Sequence, residues 1–144
     1  MMNVFIDTNV ILDYFLNRIP HSLDAAKILT LSEKGEIKAF ISSLTIANCY
    51  YLMRKNSSRR KTISSLEKIS EFVDILDLRK SSILAAFKSD FKDFEDSLQN
   101  EIARSENEIK IIITRNIKDF KKSTLEVMTP EMFLKMYKQD DTNL

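Results

Sequence analysis

A single cysteine, a single glycine, a single histidine, two prolines and no tryptophan occur in this chain of 144 residues. Each shortage excludes a class of chemistry. Cys49 has no partner for an intrachain disulfide, and with His21 as the lone imidazole the clustered Cys and His ligands of zinc sites are missing. One glycine excludes a P-loop or a GxGxxG turn, because those phosphate cradles need several positions of close backbone approach or positive φ. No charge-free apolar run approaches the length of a membrane span, and the first segment meets an acid at Asp7, too early for a signal peptide. A soluble, cytoplasmic protein without a membrane segment is therefore expected. The 22 Lys and Arg nearly cancel the 21 Asp and Glu, leaving +1, so the chain is neither a polycation nor an acidic disordered segment. With 44% apolar residues in a length typical of one domain, it can bury one sizeable core. What remains for chemistry is carboxylates, which prefer hard cations such as Mg²⁺ or Mn²⁺.

Hydrophobic periodicity organises the chain into alternating strands and helices. Residues 3–6 form a short apolar run ending at Asp7, after which Val10, Ile11, Tyr14 and Phe15 recur at helical spacing. A second helix is expected from Ser22, a candidate N-cap, to Glu33, ending near Gly35. Residues 39–41 read as a strand, and Ser43 opens a helix carrying Leu44, Ala47, Tyr51 and Leu52. The polar stretch from Arg54 to Lys61 separates it from a helix with Ile63, Leu66 and Ile69. Strands follow at 73–76, 109–113 and 125–128, interleaved with helices carrying Ile83, Leu84 and Phe87, then Leu98, Ile102 and Ala103. Pro130 is placed to open the last helix. This order predicts an α/β domain over residues 1–138 with a mainly parallel sheet of about five strands, followed by a polar, frayed tail at 139–144.

In such sheets ligands gather beyond the carboxyl ends of the strands, near a switch in strand order. Asp7 directly follows the first strand, and Thr114, Asn116 and Asp119 follow the fourth, so chain-distant acids are expected on one edge. Three constellations result, each with two readings. Asp7-Thr8-Asn9, with Asp13 beyond it, can hold a divalent cation or cap a helix. Asp90, Asp93, Glu95 and Asp96 surround Phe91 and Phe94; if one helix includes Asp93 and Asp96 they share a face where a cation relieves repulsion, and otherwise they complement a helix dipole. Thr114, Asn116 and Asp119 supply oxygen ligands or a polar loop of Asx-type turns.

Taken together, these segments resemble a family. Phe5-Ile6-Asp7-Thr8-Asn9-Val10, Ser42-Ser43-Leu44-Thr45, Asp93-Phe94-Glu95-Asp96 and the stretch from Thr114-Arg115-Asn116 to Asp119-Phe120 resemble, in order and spacing, the PIN-domain nucleases, over Asn3 to about Tyr137. The likeness is greatest to short bacterial members, the VapC-like group that includes toxins of toxin-antitoxin pairs. The resemblance implies a three-layer α/β/α sandwich that binds Mg²⁺ or Mn²⁺ and cleaves single-stranded RNA. It implies Asp7, Asp96 and Asp119 as catalytic metal ligands, with Asp93 as a further ligand and Asn9, Asn48, Thr114 and Asn116 in support. It also implies an antitoxin partner and a homodimer. The family's usual second acid falls on Asn48, a departure whose lost charge Asp93 or Glu95 can replace.

Cation-assisted hydrolysis suits these residue types, since metal ions activate water and neutralise phosphate charge without a side-chain base. His21 follows Pro20 in a loop and is expected to be solvated or capping, and Cys49 to be core. Arg54, Lys55, Arg59, Arg60 and Lys61 form the densest basic run, while Arg115, Lys118, Lys121 and Lys122 flank the acidic edge. Arg54, Lys55, Arg115 and Lys118 are candidate RNA contacts. Of Tyr50 and Tyr51, which can stack on bases, at least one is expected in the core. The competing class is a PIN-like module that binds RNA or protein without cleavage, motivated by Asn48. A phosphatase of the haloacid dehalogenase type also starts from a strand-end Asp, but needs a second acid where Asn9 stands.

Overall fold

The computed structural model describes residues 1–142. Five parallel strands, β1 (Met2–Ile6), β2 (Ile37–Ser42), β3 (Val73–Leu76), β4 (Ile111–Ile113) and β5 (Glu126–Met128), form one sheet in the order β3-β2-β1-β4-β5. The helices among the described residues are α1 (Thr8–Phe15), α2 (Ser22–Glu33), α3 (Ser43–Met53), α4 (Arg59–Ile69), α5 (Lys80–Phe87), α6 (Phe94–Arg104) and α7 (Pro130–Thr142), with a 3-10 helix at Ile117–Phe120.

Strand alternation sorts the core into two layers. Val4 and Ile6, Ala39 and Ile41, and Ile111 and Ile113 face one side, where they pack with residues of α1, α2, α3, α4 and α7, including Ile11, Ile28, Cys49, Leu66 and Phe133. Phe5, Phe40 and Ile112 face the other, against Ile102 and Ala103 of α6 and Phe120 of the 3-10 helix. The result is the expected α/β/α sandwich. Its five strands and helical order agree with the periodicity, whereas several ends differ for local reasons. Ser22 is the first helical residue, not the cap, because its N–H is already taken by the Arg18 carbonyl at 2.8 Å and His21 occupies the cap position. Arg59, Arg60 and Lys61 belong to α4, whose N-cap Ser58 accepts from the Lys61 N–H. Ile109 is buried, but it precedes β4 because its N–H closes a turn onto the Glu106 carbonyl. Gly35 sits at φ +75°, the left-handed conformation that ends α2.

α7 continues through Thr142, past the expected boundary at 138; Asn143 and Leu144 of the expected tail lie outside the described residues. No helix among the described residues is long and apolar enough to cross a membrane.

The chain builds β1, β2 and β3 outward to one edge, then returns through α5 and α6 to place β4 on the other side of β1. The reversal lies between β1 and β4, where strand connections diverge and leave a crevice. The Asp7 N–H bonds the Ile113 carbonyl at 2.9 Å, tying the two strand ends together at that point.

Candidate active site

A cleft of about 480 Å³ occupies this crevice. Asp7, Thr8, Asn9 and Leu12 line it from β1 and α1, Asn48, Tyr51 and Leu52 from α3, Asp93, Glu95 and Asp96 from the start of α6, and Asn116 and Asp119 from the segment after β4. Each of the three constellations contributes to it: Asp7, Asp93, Asp96 and Asp119 share one cavity with Asn9, Asn48 and Asn116, whereas Asp13, Asp90 and Thr114 do not line it.

Asp7 is 3% exposed and caps α1, accepting the Thr8 N–H at 2.9 Å on Oδ1 and the Thr114 hydroxyl at 2.9 Å on Oδ2. Capping and cleft exposure therefore coexist in one carboxylate. Thr114, itself buried, also accepts the Asn116 N–H, so it orients Asp7 and the following loop together without lining the cleft. Burial pushes the Asp7 carboxyl up to about 6 despite the Thr114 and Thr8 hydrogen bonds and Arg115, which favour the charged form, while Glu95 opposes it. Asp96 is raised to about 7, by burial first and then by the Asp7, Asp93, Asp119 and Glu95 charges around it. Asp93 is the N-cap of α6 and accepts the Asp96 N–H at 2.9 Å, so the two acids do not lie together within the helix. The capping alternative describes Asp93, and Glu95 and Asp96 occupy the first turn.

Asn48 of α3 donates its amide to Glu95 Oε1 at 2.7 Å. Glu95 is thereby fixed at the cleft. Beneath the cleft a buried network supports the walls: Gln99 donates to the Thr45 hydroxyl at 3.1 Å and to Thr8, and accepts from Ser42 at 2.7 Å, while Thr8 and Thr45 lie 2.8 Å apart. These residues were not singled out from sequence. The available signal was Gln99 itself, a polar side chain between Leu98 and Ile102 and three residues beyond Asp96 on the same helical face.

Arg115, a candidate RNA contact, lines a separate cavity with His21, Asp24, Thr129, Pro130 and Glu131. Its guanidinium grips Asp13, which is 1% exposed, through Nε to Oδ2 at 2.6 Å and a second nitrogen to Oδ1 at 3.0 Å, with Arg18 3.6 Å from the same carboxylate. It does not line the cleft. Arg54 and Lys55 follow α3 outside the cleft, and Arg54 donates to the Ser57 carbonyl. Lys118 lines an adjoining groove. Tyr51 is exposed at the cleft while Tyr50 packs on the core, dividing the two tyrosines as expected. His21 lies at the start of α2 away from the cleft, and Cys49 is core, its thiol pushed up to about 12 by burial.

The donor set is entirely oxygen, with an excess of negative charge that raises Asp96, and this suits a hard divalent cation. Among the described residues no three Asp, Glu, His or Cys side chains close into a ready-made cage. A cation here would keep water in part of its shell, as Mg²⁺ characteristically does.

Fold and site together define a class: a parallel α/β/α domain with an acidic, oxygen-donor cleft at its topological switch point. A family model described as the PIN domain matches residues 3–118, and this chain belongs to that family. A relative named Ribonuclease VapC1, from Aquifex aeolicus (strain VF5), is 33% identical over 138 residues, covering 90% of this chain and 92% of the relative. Among solved structures the chain is similar to VapBC2 from Rickettsia felis bound to a DNA fragment from their promoter, with TM-score 0.66, 19% identity, and 89% and 98% of the two chains covered. It is similar also to a toxin-antitoxin complex from Klebsiella pneumoniae, with TM-score 0.66, 22% identity, and 88% and 97% covered. At those identities the structural likeness is one of fold.

Proposed function

We propose that this PIN domain is a cation-dependent endoribonuclease that hydrolyses phosphodiester bonds of single-stranded or loop RNA, acting as the toxin of a toxin-antitoxin pair in the cytoplasm. The observation that carries the proposal is the convergence of Asp7, Asp93, Glu95, Asp96 and Asp119 from three separate chain segments on one cleft. Charge of this density opposes folding and also repels RNA, and a divalent cation relieves both effects. The ribonuclease named among the relatives supports the chemistry, and the named toxin-antitoxin complexes support an antitoxin partner; a homodimer is part of the same proposal.

In this reading Asp7, Asp96 and Asp119 ligate Mg²⁺ or Mn²⁺, with Asp93 beside them and Glu95 supplying the charge that Asn48 lacks. The bound cation supplies activation of the attacking water and neutralisation of charge on the phosphate. Thr114 holds Asp7 in place, and Asn9, Asn48 and Asn116 orient water around the acids. Because Asp7 and Asp96 hold their protons well above the usual carboxylate range, cation uptake near neutrality is coupled to proton release.

The test is cleavage of a panel of structured and single-stranded RNAs with Mg²⁺, Mn²⁺ or EDTA, alongside Asp7→Asn and Asp96→Asn. Cleavage that requires the cation and is lost in both variants is the expected result. RNA affinity without cleavage under any condition, unchanged by Asp7→Asn, would instead establish a non-cleaving binding module.

A further inference from the structure

Asp93 and Asp119 line two cavities at once. On one side is the acidic cleft, and on the other a groove of about 650 Å³ lined also by Asp90, Phe91, Lys92, Lys118, Lys121 and Lys122. Its lysines come from two segments brought together by the fold: Lys92 from the loop before α6, the others from the 3-10 helix and the turn that follows. Phe91 packs edge-on against the buried Phe120, with ring centroids 5.8 Å apart, and this contact holds the two lysine-bearing segments side by side. All four lysines are exposed, and none makes an ion pair or side-chain hydrogen bond with another described residue, although three carboxylates line the same groove. Arg115 and Arg18, by contrast, are engaged by Asp13.

We propose that this groove is the track for the substrate's backbone, in which Lys92, Lys118, Lys121 and Lys122 take phosphates of single-stranded RNA flanking the one presented to the acids. The inference rests on the ribonuclease reading of the adjoining cleft. An unpaired ammonium beside a carboxylate is free to take an external phosphate, and flexible lysine stems suit a strand whose conformation varies along its length. Placed immediately beyond Asp93 and Asp119, the lysines offset the repulsion that RNA meets on approaching the acids. They also explain how a chain of net charge +1 attracts a polyanion at this edge of the sheet.

The experiment measures binding of a short fluorescein-labelled oligouridylate by fluorescence anisotropy in EDTA, in an Asp96→Asn background so that the strand stays intact. Lys92, Lys118, Lys121 and Lys122 are changed together to Gln, and a charge-matched control changes Lys27, Lys34, Lys110 and Lys138, none of which lines the cleft or the groove. Each phosphate contact to a single strand adds about 0.7 to the slope of log affinity against log salt, so the groove variant should lose about 2.8. Between about 50 and 200 mM salt that amounts to about a 50-fold smaller fall in affinity than in its parent. The control should keep the parental slope. Equal losses in both variants would show attraction by net charge alone and overturn the track, as would an unchanged slope in the groove variant. Cleavage by the unmodified protein with Mn²⁺, measured in parallel, separates the two failures. Cleavage with an unaffected slope removes the track and leaves the ribonuclease, whereas neither cleavage nor RNA binding removes both.

Discussion

Replacing Arg115 by alanine distinguishes a structural guanidinium from one that contacts RNA. Asp13 is 1% exposed and receives two hydrogen bonds from Arg115, at 2.6 and 3.0 Å. After the replacement it keeps Arg18, 3.6 Å away with a side chain 37% exposed. Breaking a buried ion pair from one side costs about 3–5 kcal/mol, because the other charge is stranded away from water. Arg115 is itself 29% exposed and Arg18 offers partial compensation, so the expected loss is about 2–3 kcal/mol. For a domain of this size that lowers the thermal midpoint by about 5–10 °C. Asp13→Asn together with Arg115→Met removes both charges and should recover at least half the loss, giving a coupling energy of about 1.5 kcal/mol in a urea-denaturation cycle. If Arg115→Ala instead stays within about 0.5 kcal/mol of the parent while RNA binding loses salt dependence, the guanidinium works on phosphates and the assignment to Asp13 is wrong.

Asp7→Asn should abolish cleavage and the stabilisation produced by Mn²⁺, yet raise the stability of the cation-free protein near pH 8. The buried carboxyl, shifted from 3.8 to about 6, opposes folding by about 3 kcal/mol once ionised, and urea denaturation should show a gain of about 1–3 kcal/mol. For the same reason, without divalent cation the contributions of Asp7 and Asp96 make the fold less stable as pH rises from about 4 to 8. There the unfolded carboxylates have already ionised while the folded ones, at about 6 and about 7, still hold protons; above about pH 8 the loss is complete. Thermal midpoints with and without Mn²⁺ should diverge across that window, and a constant difference would contradict the assigned burial. Asn48→Asp adds a charge against Glu95, 2.7 Å from the amide it replaces, and should lower cation-free stability by about 1 kcal/mol while tightening Mn²⁺ binding in calorimetry. Gln99→Leu leaves the Ser42, Thr8 and Thr45 hydroxyls short of partners in the core and should cost about 2–3 kcal/mol in urea denaturation.

The sandwich was legible because apolar runs of strand length alternate with helical periodicities, and the cleft because Asp7 and the Thr114 to Asp119 segment each follow a strand end. What sequence concealed depends on side-chain partners. Arg115 stands next to a site residue, and nothing in the order of residues says that Asp13, a turn and a half along α1, claims its guanidinium. Asn48 reads as a lost charge until its contact with Glu95 is seen. Gln99 and the hydroxyls of Thr8, Thr45 and Ser42 belong to four elements, so their network exists only in the folded chain. Asp93 reads from sequence as a candidate site acid, and whether it begins the helix or sits inside it turns on one hydrogen bond.

The bond between Thr114 and Asp7 joins positions 107 residues apart, and it closes across the junction of β1 with β4. A growing polypeptide on the ribosome therefore holds Asp7 from the first moments of synthesis but has nothing to complete the cleft until β4 and Asp119 have emerged. Translation that stops within or before α6 yields a fragment with an incomplete set of acids. A break in the turn between Arg104 and Ile111 would divide the cleft into two pieces, Asp7, Asp93 and Asp96 on one and Asn116 and Asp119 on the other. The domain is thus a natural candidate for a split enzyme whose activity reports the meeting of its halves.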